Sequence, residues 1–316
     1  MKYTRKKPLR IGTDCSGIEA PIQAIQQLQI PHVHVWSSEI NKHCITSIKA
    51  NYNPEIIYGD STSPFPDGDI TKRDNSKLPD IDLYVCGFPC QPFSNVGLKK
   101  GLDDTRGTVF FSCIDVITKK QPRYFILENV RGILTNNKKD KRDKYGETWK
   151  VILEKLKKLK GYKVEWKVMN TKDYGIPQSR PRVYIVGTKN SFEWPDKKPM
   201  ERLENYIDHS NKKKEEKLPN KAFKTINNKE HKNSIFLDIQ FQTVNFKYSN
   251  LYCSCIIRSS TIINIKYKRR ATNKELLMLQ GFNTDFDVVV SQTQFRYQIG
   301  NSMSVNVLKC IIINLI

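Results

Sequence analysis

The chain has 316 residues, enough for one large domain or a large domain with a smaller one attached. Its 53 Lys+Arg against 32 Asp+Glu leave a net charge of +21, so it should be drawn to a polyanion, most simply nucleic acid, unless the lysines merely reflect a biased composition. Eight scattered cysteines exclude a disulfide-stapled secreted scaffold, and no stretch approaches the roughly 18 apolar residues of a membrane span.

The first ten residues are basic but lead into no apolar run, so an intracellular, soluble protein of a reducing compartment, cytoplasm or nucleus, is expected. Pro8-Leu9-Arg10-Ile11-Gly12 reads as a strand that enters the turn Thr13-Asp14-Cys15-Ser16-Gly17. A helix follows, with Ile18, Ile22, Ile25 and Leu28 on one stripe. A glycine turn that opens a helix lets a ligand approach free backbone N–H groups. The next strand, His32–Ser38, ends at Glu39, where a carboxylate can grip a ribose diol. Ile56–Tyr58 leads to Asp60, an acceptor suited to the exocyclic amine of adenine. A full G-x-G-x-x-G is absent, and Glu19 in the turn would repel a pyrophosphate. A cationic or zwitterionic adenosine ligand fits better, and S-adenosylmethionine is one.

Ile81–Val85 reads as a buried strand, followed by Cys86-Gly87 and Phe88-Pro89-Cys90-Gln91. Cys90 lies between Pro89 and Pro92, in a stiff turn past a strand end, where a thiol is either an exposed nucleophile or a small packed hydrophobe. Residues 91–104 carry Gly97, Gly101 and Lys99-Lys100 and read as a loop able to close over a substrate. A helix with Val109, Phe110, Cys113, Ile114 and Ile117 on its apolar face follows. The strand Pro122–Leu127 is expected to stop at Glu128-Asn129-Val130, and a carboxylate there is either a desolvated proton donor or a surface glutamate. Trp149, Ile152, Leu153, Leu156 and Leu159 mark an amphipathic helix closed by Gly161. Strands at 162–169 and 182–187 flank Gln178-Ser179-Arg180-Pro181-Arg182, whose two arginines project to one side.

The order and spacing of Phe88-Pro89-Cys90-Gln91, Glu128-Asn129-Val130 and Gln178-Ser179-Arg180-Pro181-Arg182 resemble the signature motifs of the cytosine-5 DNA methyltransferases. The resemblance extends through Gly17, Glu39, Asp60 and Asp104-Thr105-Arg106-Gly107 to Thr272–Phe282 and Gln298–Val305. It implies an α/β fold, a Rossmann-like methyltransferase sheet with helices on both faces plus a small irregular target-recognition domain. Residues 1–190, completed by 268–316, would form the catalytic and cofactor-binding domain. Residues 191–267, rich in lysine, asparagine and aromatics, would be the recognition domain rather than a low-complexity linker. The resemblance further implies S-adenosylmethionine as cofactor, double-stranded DNA as partner and a monomer.

By the same resemblance Cys90 adds to carbon 6 of a flipped cytosine, Glu128 acts at ring nitrogen 3, Asn129 orients it, and Arg180 and Arg182 hold the base or a phosphate. The cofactor would meet Asp14, Cys15, Ser16, Gly17, Ile18, Glu39, Ile40, Asp60, Ser61, Gly87, Pro89, Asn301 and Ser302; no metal is expected. Cys15 stands where the family usually has an adenine-stacking aromatic residue, Ile40 replaces a second, and Glu19-Ala20 replaces a glycine pair. A transfer-RNA cytosine-5 methyltransferase of the same family shares every catalytic motif, and a degenerate nucleic-acid-binding module is the alternative of a different class. Cys253-x-Cys255 reads as two half-buried strand cysteines or a weak metal signal. Thr272 and Glu275 have capping-box spacing, with Gly281 as the stop.

Overall fold

The computed structural model describes residues 3–89, 109–212, 218, 234–240 and 249–316. Cys90, the loop 91–104 with Asp104–Gly107, the lysines at 213–217, and Phe223, Phe241, Phe246 and Tyr248 lie outside the described residues.

Seven strands form the main sheet: β1 (Leu9–Asp14), β2 (His32–Ser38), β3 (Ile56–Tyr58), β4 (Leu83–Cys86), β5 (Tyr124–Val130), β6 (Lys163–Asn170) and β7 (Pro181–Thr188). Their order is β3-β2-β1-β4-β5-β7-β6. The pairs from β3 to β5 are parallel, and β7 runs antiparallel to both β5 and β6. The chain builds outward from β1 through β3, then crosses back to β4 on the other side of β1. That reversal is the topological switch point, where an open α/β sheet leaves a crevice at the carboxyl ends of its strands.

The central strands β1, β4, β5 and β7 are buried on both faces, and the period of two assigns each side chain. Leu83 and Val85, Tyr124 and Ile126, and Tyr184 and Val186 pack on one face with α1 (Ala20–Gln27) and the C-terminal helix α7 (Val305–Leu315). Tyr84 and Cys86, Phe125 and Leu127, and Val183 and Ile185 pack on the other. There they meet α3 (Val109–Lys120) and α4 (Glu147–Lys157), while α2 (Lys42–Asn51) links β2 to β3.

A smaller antiparallel sheet has the order β10-β9-β8, made of β8 (Phe236–Asp238), β9 (Ile262–Asn264) and β10 (Arg269–Arg270). Phe236 and Ile262 share an apolar cluster with α5 (Asn273–Gln280), α6 (Gln292–Asn301) and α7. The α5 capping box forms in full: Thr272 accepts from the Glu275 N–H, the Glu275 carboxylate accepts from the Thr272 N–H, and Gly281 closes the helix in the left-handed region. Such a cap contributes about 1 kcal/mol. Glu275 also pairs with Arg269 at 2.8 Å, both buried, so the cap fastens the small sheet to α5.

Candidate active site

Two loops meet at the switch point. The turn after β1 and the segment after β4 are neighbours because Asp14 and Cys86 are register partners at the carboxyl ends of adjacent strands.

The first loop is the candidate cofactor turn. Gly17 has φ +58° and its N–H donates to Glu39 Oε2 at 2.8 Å; Glu39 Oε1 accepts from the Asn41 N–H at 2.9 Å. Burial raises the Glu39 carboxyl above its usual range, against the lowering effect of the Asn41 and Gly17 N–H groups. A Cβ built on Gly17 would meet no atom within 4 Å, so the outer side of the turn is open. Beside it Ile40 is 69% exposed, an uncovered apolar side chain next to the Glu39 carboxylate.

Asp14, Ser16 and Ile18 turn to the interior instead. Asp14 is fully buried: Arg73 pairs with it bidentately at 2.8 and 3.0 Å, and Trp36 Nε1 and Tyr84 OH also donate to it. Burial alone would raise this carboxyl, but the Arg73 charge and these hydrogen bonds hold it below its usual range. It braces the turn from beneath. The Ile18 side chain lies in the core, and Ser16 is buried with its hydroxyl against Thr13 and the Ser38 N–H. Asp60 is partly exposed, and its two oxygens accept from Lys49 at 2.7 Å and Thr62 at 2.6 Å; Ser61 is exposed.

Glu19 corrects an expectation. Its carboxylate does not face a ligand but turns into the interior, where Thr13 Oγ1 and Ser37 Oγ donate to Oε1, each at 2.6 Å. The backbone at Glu19 is left-handed, φ +59°, and this rotation carries the side chain under the turn. Repulsion of a phosphate by an exposed charge therefore does not apply. Arg73, a basic side chain that reaches this turn, is taken up by Asp14.

The second loop is the candidate base site. Phe88 is buried against Phe110 of α3, with ring centroids 5.4 Å apart, while Pro89 is exposed. Asn129 Nδ2 donates to the Phe88 carbonyl at 2.7 Å, and Asn129 Oδ1 accepts from the Val130 N–H. β5 does not stop at Leu127: antiparallel pairing with β7 carries it on, setting Glu128 opposite Tyr184 and Val130 opposite Arg182. Glu128 and Asn129 thus leave opposite faces of one strand. A Cβ on Gly87 would lie 3.6 Å from Glu128 Oε2 and 3.4 Å from Met303 Cε, which places the start of the Phe-Pro-Cys segment against the acid.

Glu128 Oε1 lies 3.3 Å from Arg182 Nε, and both side chains are 10% exposed. Burial raises the Glu128 carboxyl; Arg182 and Arg180 oppose this, and burial wins. Arg182 also contacts Cys255 Sγ at 3.6 Å. Arg180 is used differently. Its guanidinium donates to the carbonyls of Ile256, Gly300 and Ser302, tying its own segment to two distant ones. Asn301, at the end of α6, is exposed, and Ser302 is buried beside Met303. A Cβ on Gly300 would come within 2.3 Å of the Ile257 carbonyl carbon, so only glycine lets α6 pass beneath that loop.

Arg73 and Cys255 were given no place in the site from the sequence, and Gln178 and Met303 were quoted within motifs without a role of their own. Gln178 is fully buried and bonds to the Leu279 carbonyl, Gln280 Oε1 and the Ile256 N–H. Its place in the Gln-Ser-Arg-Pro-Arg run was the available signal. Cys253 is buried and bridges to Gln178, whereas Cys255 turns to the two arginines.

The profile of the C-5 cytosine-specific DNA methylases matches residues 14–247 and 202–316. The type II methyltransferase M.NgoBI of Neisseria gonorrhoeae is 36% identical over 294 residues, covering 87% of this chain and 84% of the relative. M.HaeII of Haemophilus aegyptius, also a type II methyltransferase, is 36% identical over 292 residues, covering 88% and 84%. Among solved structures, the S. pombe Dnmt2 methyltransferase superposes with a TM-score of 0.67 at 19% identity, covering 97% of both chains. DNMT2 of Spodoptera frugiperda gives 0.64 at 18%, covering 97% and 99%. These two share the fold. With matched sequence running from Asp14 to the last helix, the chain belongs to the C-5 cytosine-specific DNA methylases, which draw their methyl group from S-adenosylmethionine.

Proposed function

We propose that this DNA cytosine-5 methyltransferase works on duplex DNA through a Cys90 adduct, with Glu128 as the acid at ring nitrogen 3. The observation that carries the reading is the Glu128 carboxyl: buried, raised above its usual range, and set against Gly87, three residues before Cys90. A carboxyl that keeps its proton can donate to a ring nitrogen, and it withdraws electrons as the thiolate adds to carbon 6. Carbon 5 then becomes enamine-like and takes up the methyl group. Loss of the carbon 5 proton to solvent water restores the double bond and expels Cys90 as the thiolate that attacked, while the proton on ring nitrogen 3 returns to Glu128. When bound, S-adenosylmethionine supplies that methyl group from a positively charged sulfur.

The residues present suit this cofactor: an open glycine turn, a partly desolvated carboxylate at Glu39 for the ribose and the uncovered Ile40 for an apolar ring. Glu39, Ile40, Gly17 and Gly87 would hold it, with Cys15, Asp60, Ser61, Pro89, Asn301 and Ser302 around it; Asp14, Ser16 and Ile18 would act through the shape of the turn. Asn129 would fix the Phe88 carbonyl, and with it the approach to Cys90. Arg182 would orient Glu128, and Arg180 would hold the surrounding segments in place. Residues 191–267 would read the target sequence, with 1–190 and 268–316 as the catalytic part. The motifs on which this reading rests all lie in one sequence, and we take the working unit to be a monomer. The relatives' description as type II methyltransferases supports a modification role beside a partner nuclease.

Bisulfite sequencing of a plasmid co-expressed with the protein tests this. Protected cytosines in one sequence context, lost in Cys90→Ser, are expected. Methylation that survives Cys90→Ser would overturn the adduct, and an unmodified plasmid would overturn the assigned substrate.

A further inference from the structure

We infer that Glu19 is a positioning residue for the cofactor turn: its buried carboxylate holds the turn in its ligand-ready shape. This rests on the reading that the turn and Glu39 bind S-adenosylmethionine.

Three independent features of Glu19 converge. Its backbone is left-handed (φ +59°, ψ +48°) at the N-cap of α1, a conformation that a non-glycine residue holds only when its surroundings over-determine it. The side chain is wholly buried yet carries a carboxylate. And Oε1 gathers donors from both neighbouring strands: Thr13 of β1 and Ser37 of β2, each at 2.6 Å, with His34 Nε2 at 3.4 Å. Ser37 Oγ also lies 3.0 Å from His34 Nε2. With the serine hydroxyl donating to Glu19, the network assigns the His34 proton to Nε2. The grouping of Ser37, His34 and Glu19 looks like a nucleophile with its base, but all three are buried and the hydroxyl points at the acid, so it is a brace.

What it braces is the turn. The Glu19 N–H donates to the Ser16 carbonyl at 2.9 Å, and Ser16 Oγ accepts from the Ser38 N–H next to Glu39. Thr13 Oγ1, which donates to Glu19, is also 2.8 Å from Ser16 Oγ. One carboxylate therefore fixes the ends of β1 and β2 relative to the helix start, and so the 2.8 Å contact between Gly17 and Glu39. A glycine at position 19 would adopt the backbone without strain but could not supply the brace.

The test uses the full chain and three variants, Glu19→Gly, Glu19→Gln and Glu39→Ala. S-adenosylhomocysteine affinity is measured by calorimetry, and duplex DNA affinity is measured without cofactor. For Glu19→Gly we expect about a tenfold or greater rise in the S-adenosylhomocysteine Kd, the scale of a lost charge-assisted hydrogen bond, with DNA affinity unchanged. Glu19→Gln, which keeps the shape and one acceptor, should lose less. Should the glycine variant fail to fold, the glutamine variant decides alone: a raised Kd supports the brace and an unchanged one overturns it. Equal loss of cofactor and DNA binding would overturn it too, because that is what general destabilisation does. Glu39→Ala separates the two ideas. If it binds S-adenosylhomocysteine normally, the cofactor reading of this turn fails; if it loses binding while Glu19→Gly does not, only the brace fails.

Discussion

Asn129 Nδ2 donates to the Phe88 carbonyl at 2.7 Å, joining β5 to the segment that leads into Cys90. Both partners are buried, so removing the amide leaves the Phe88 carbonyl without a donor among the described residues. Asn129→Ala should cost about 1–3 kcal/mol of stability by that route. It should also lower kcat about 100-fold, with little change in the KM for DNA, because a small displacement of a nucleophile's support is enough to spoil attack geometry. Chemical denaturation and steady-state kinetics measure the two effects. Equal proportional changes in kcat and KM would mean that Asn129 shapes binding instead.

The buried Glu128 carboxyl, raised by desolvation against the pull of Arg182 and Arg180, keeps its proton to a higher pH than an ordinary glutamate. Its donor form is present below that raised value and lost above it. Methyl transfer should therefore fall on the alkaline side as Glu128 ionises. Glu128→Gln retains an N–H donor and should keep part of the activity while flattening that alkaline limb. Glu128→Ala should lose about 10²–10⁴-fold in kcat at every pH. A pH–rate profile in single-turnover mode reads this directly; an unchanged alkaline limb in Glu128→Gln would assign the limb to another group.

The sheet was legible because the unbroken apolar runs at Leu83–Cys86 and Tyr124–Leu127 are a local property of the sequence. The end of β5 was not. Glu128 and Asn129 remain in the strand because Tyr184 and Val183 pair with them from more than fifty residues away. The motif residues were found by type and order, but the direction of each side chain was hidden. Glu19 turns inward through a backbone angle that no propensity for glutamate suggests, and Asp14 is taken up by Arg73 from a loop with no pattern of its own. Arg180 and Arg182 do share a side, as their spacing implies, since both touch Cys255. Only the long-range contacts give them different tasks.

Those tasks predict opposite outcomes for one substitution. Arg180 donates to three backbone carbonyls that a lysine ammonium cannot reach together. Arg180→Lys should lower the unfolding free energy by about 3 kcal/mol, with activity per folded molecule largely kept. Arg182→Lys should leave stability nearer the parent, because it retains a cation for Glu128, yet it loses the fixed fork beside the acid and should lower kcat more. Denaturant midpoints and kcat for the pair settle it; a larger kcat loss in Arg180→Lys would return that arginine to the substrate.

The Asp14–Arg73 pair gives the last prediction. Both side chains are at most 4% exposed, and the guanidinium spans both carboxylate oxygens. Breaking a buried pair strands a charge, so Arg73→Met or Asp14→Asn alone should cost about 3–5 kcal/mol, and the double variant less than the two losses added. The pH dependence has a definite sign. The Asp14 carboxyl lies below its unfolded value, so its contribution to stability is present above the unfolded carboxylate range and lost as pH falls through the folded value. The stability advantage of the parent over Asp14→Asn should therefore be full at neutral pH and shrink in acid. Because Asp14 braces the turn from beneath, the single variants should also weaken S-adenosylhomocysteine binding, whereas the parent's affinity should hold steady over the pH range in which the pair stays ionised. A double-mutant cycle by denaturation at pH 7 and at pH 4 tests both parts; strict additivity at pH 7 would mean the two groups contribute independently.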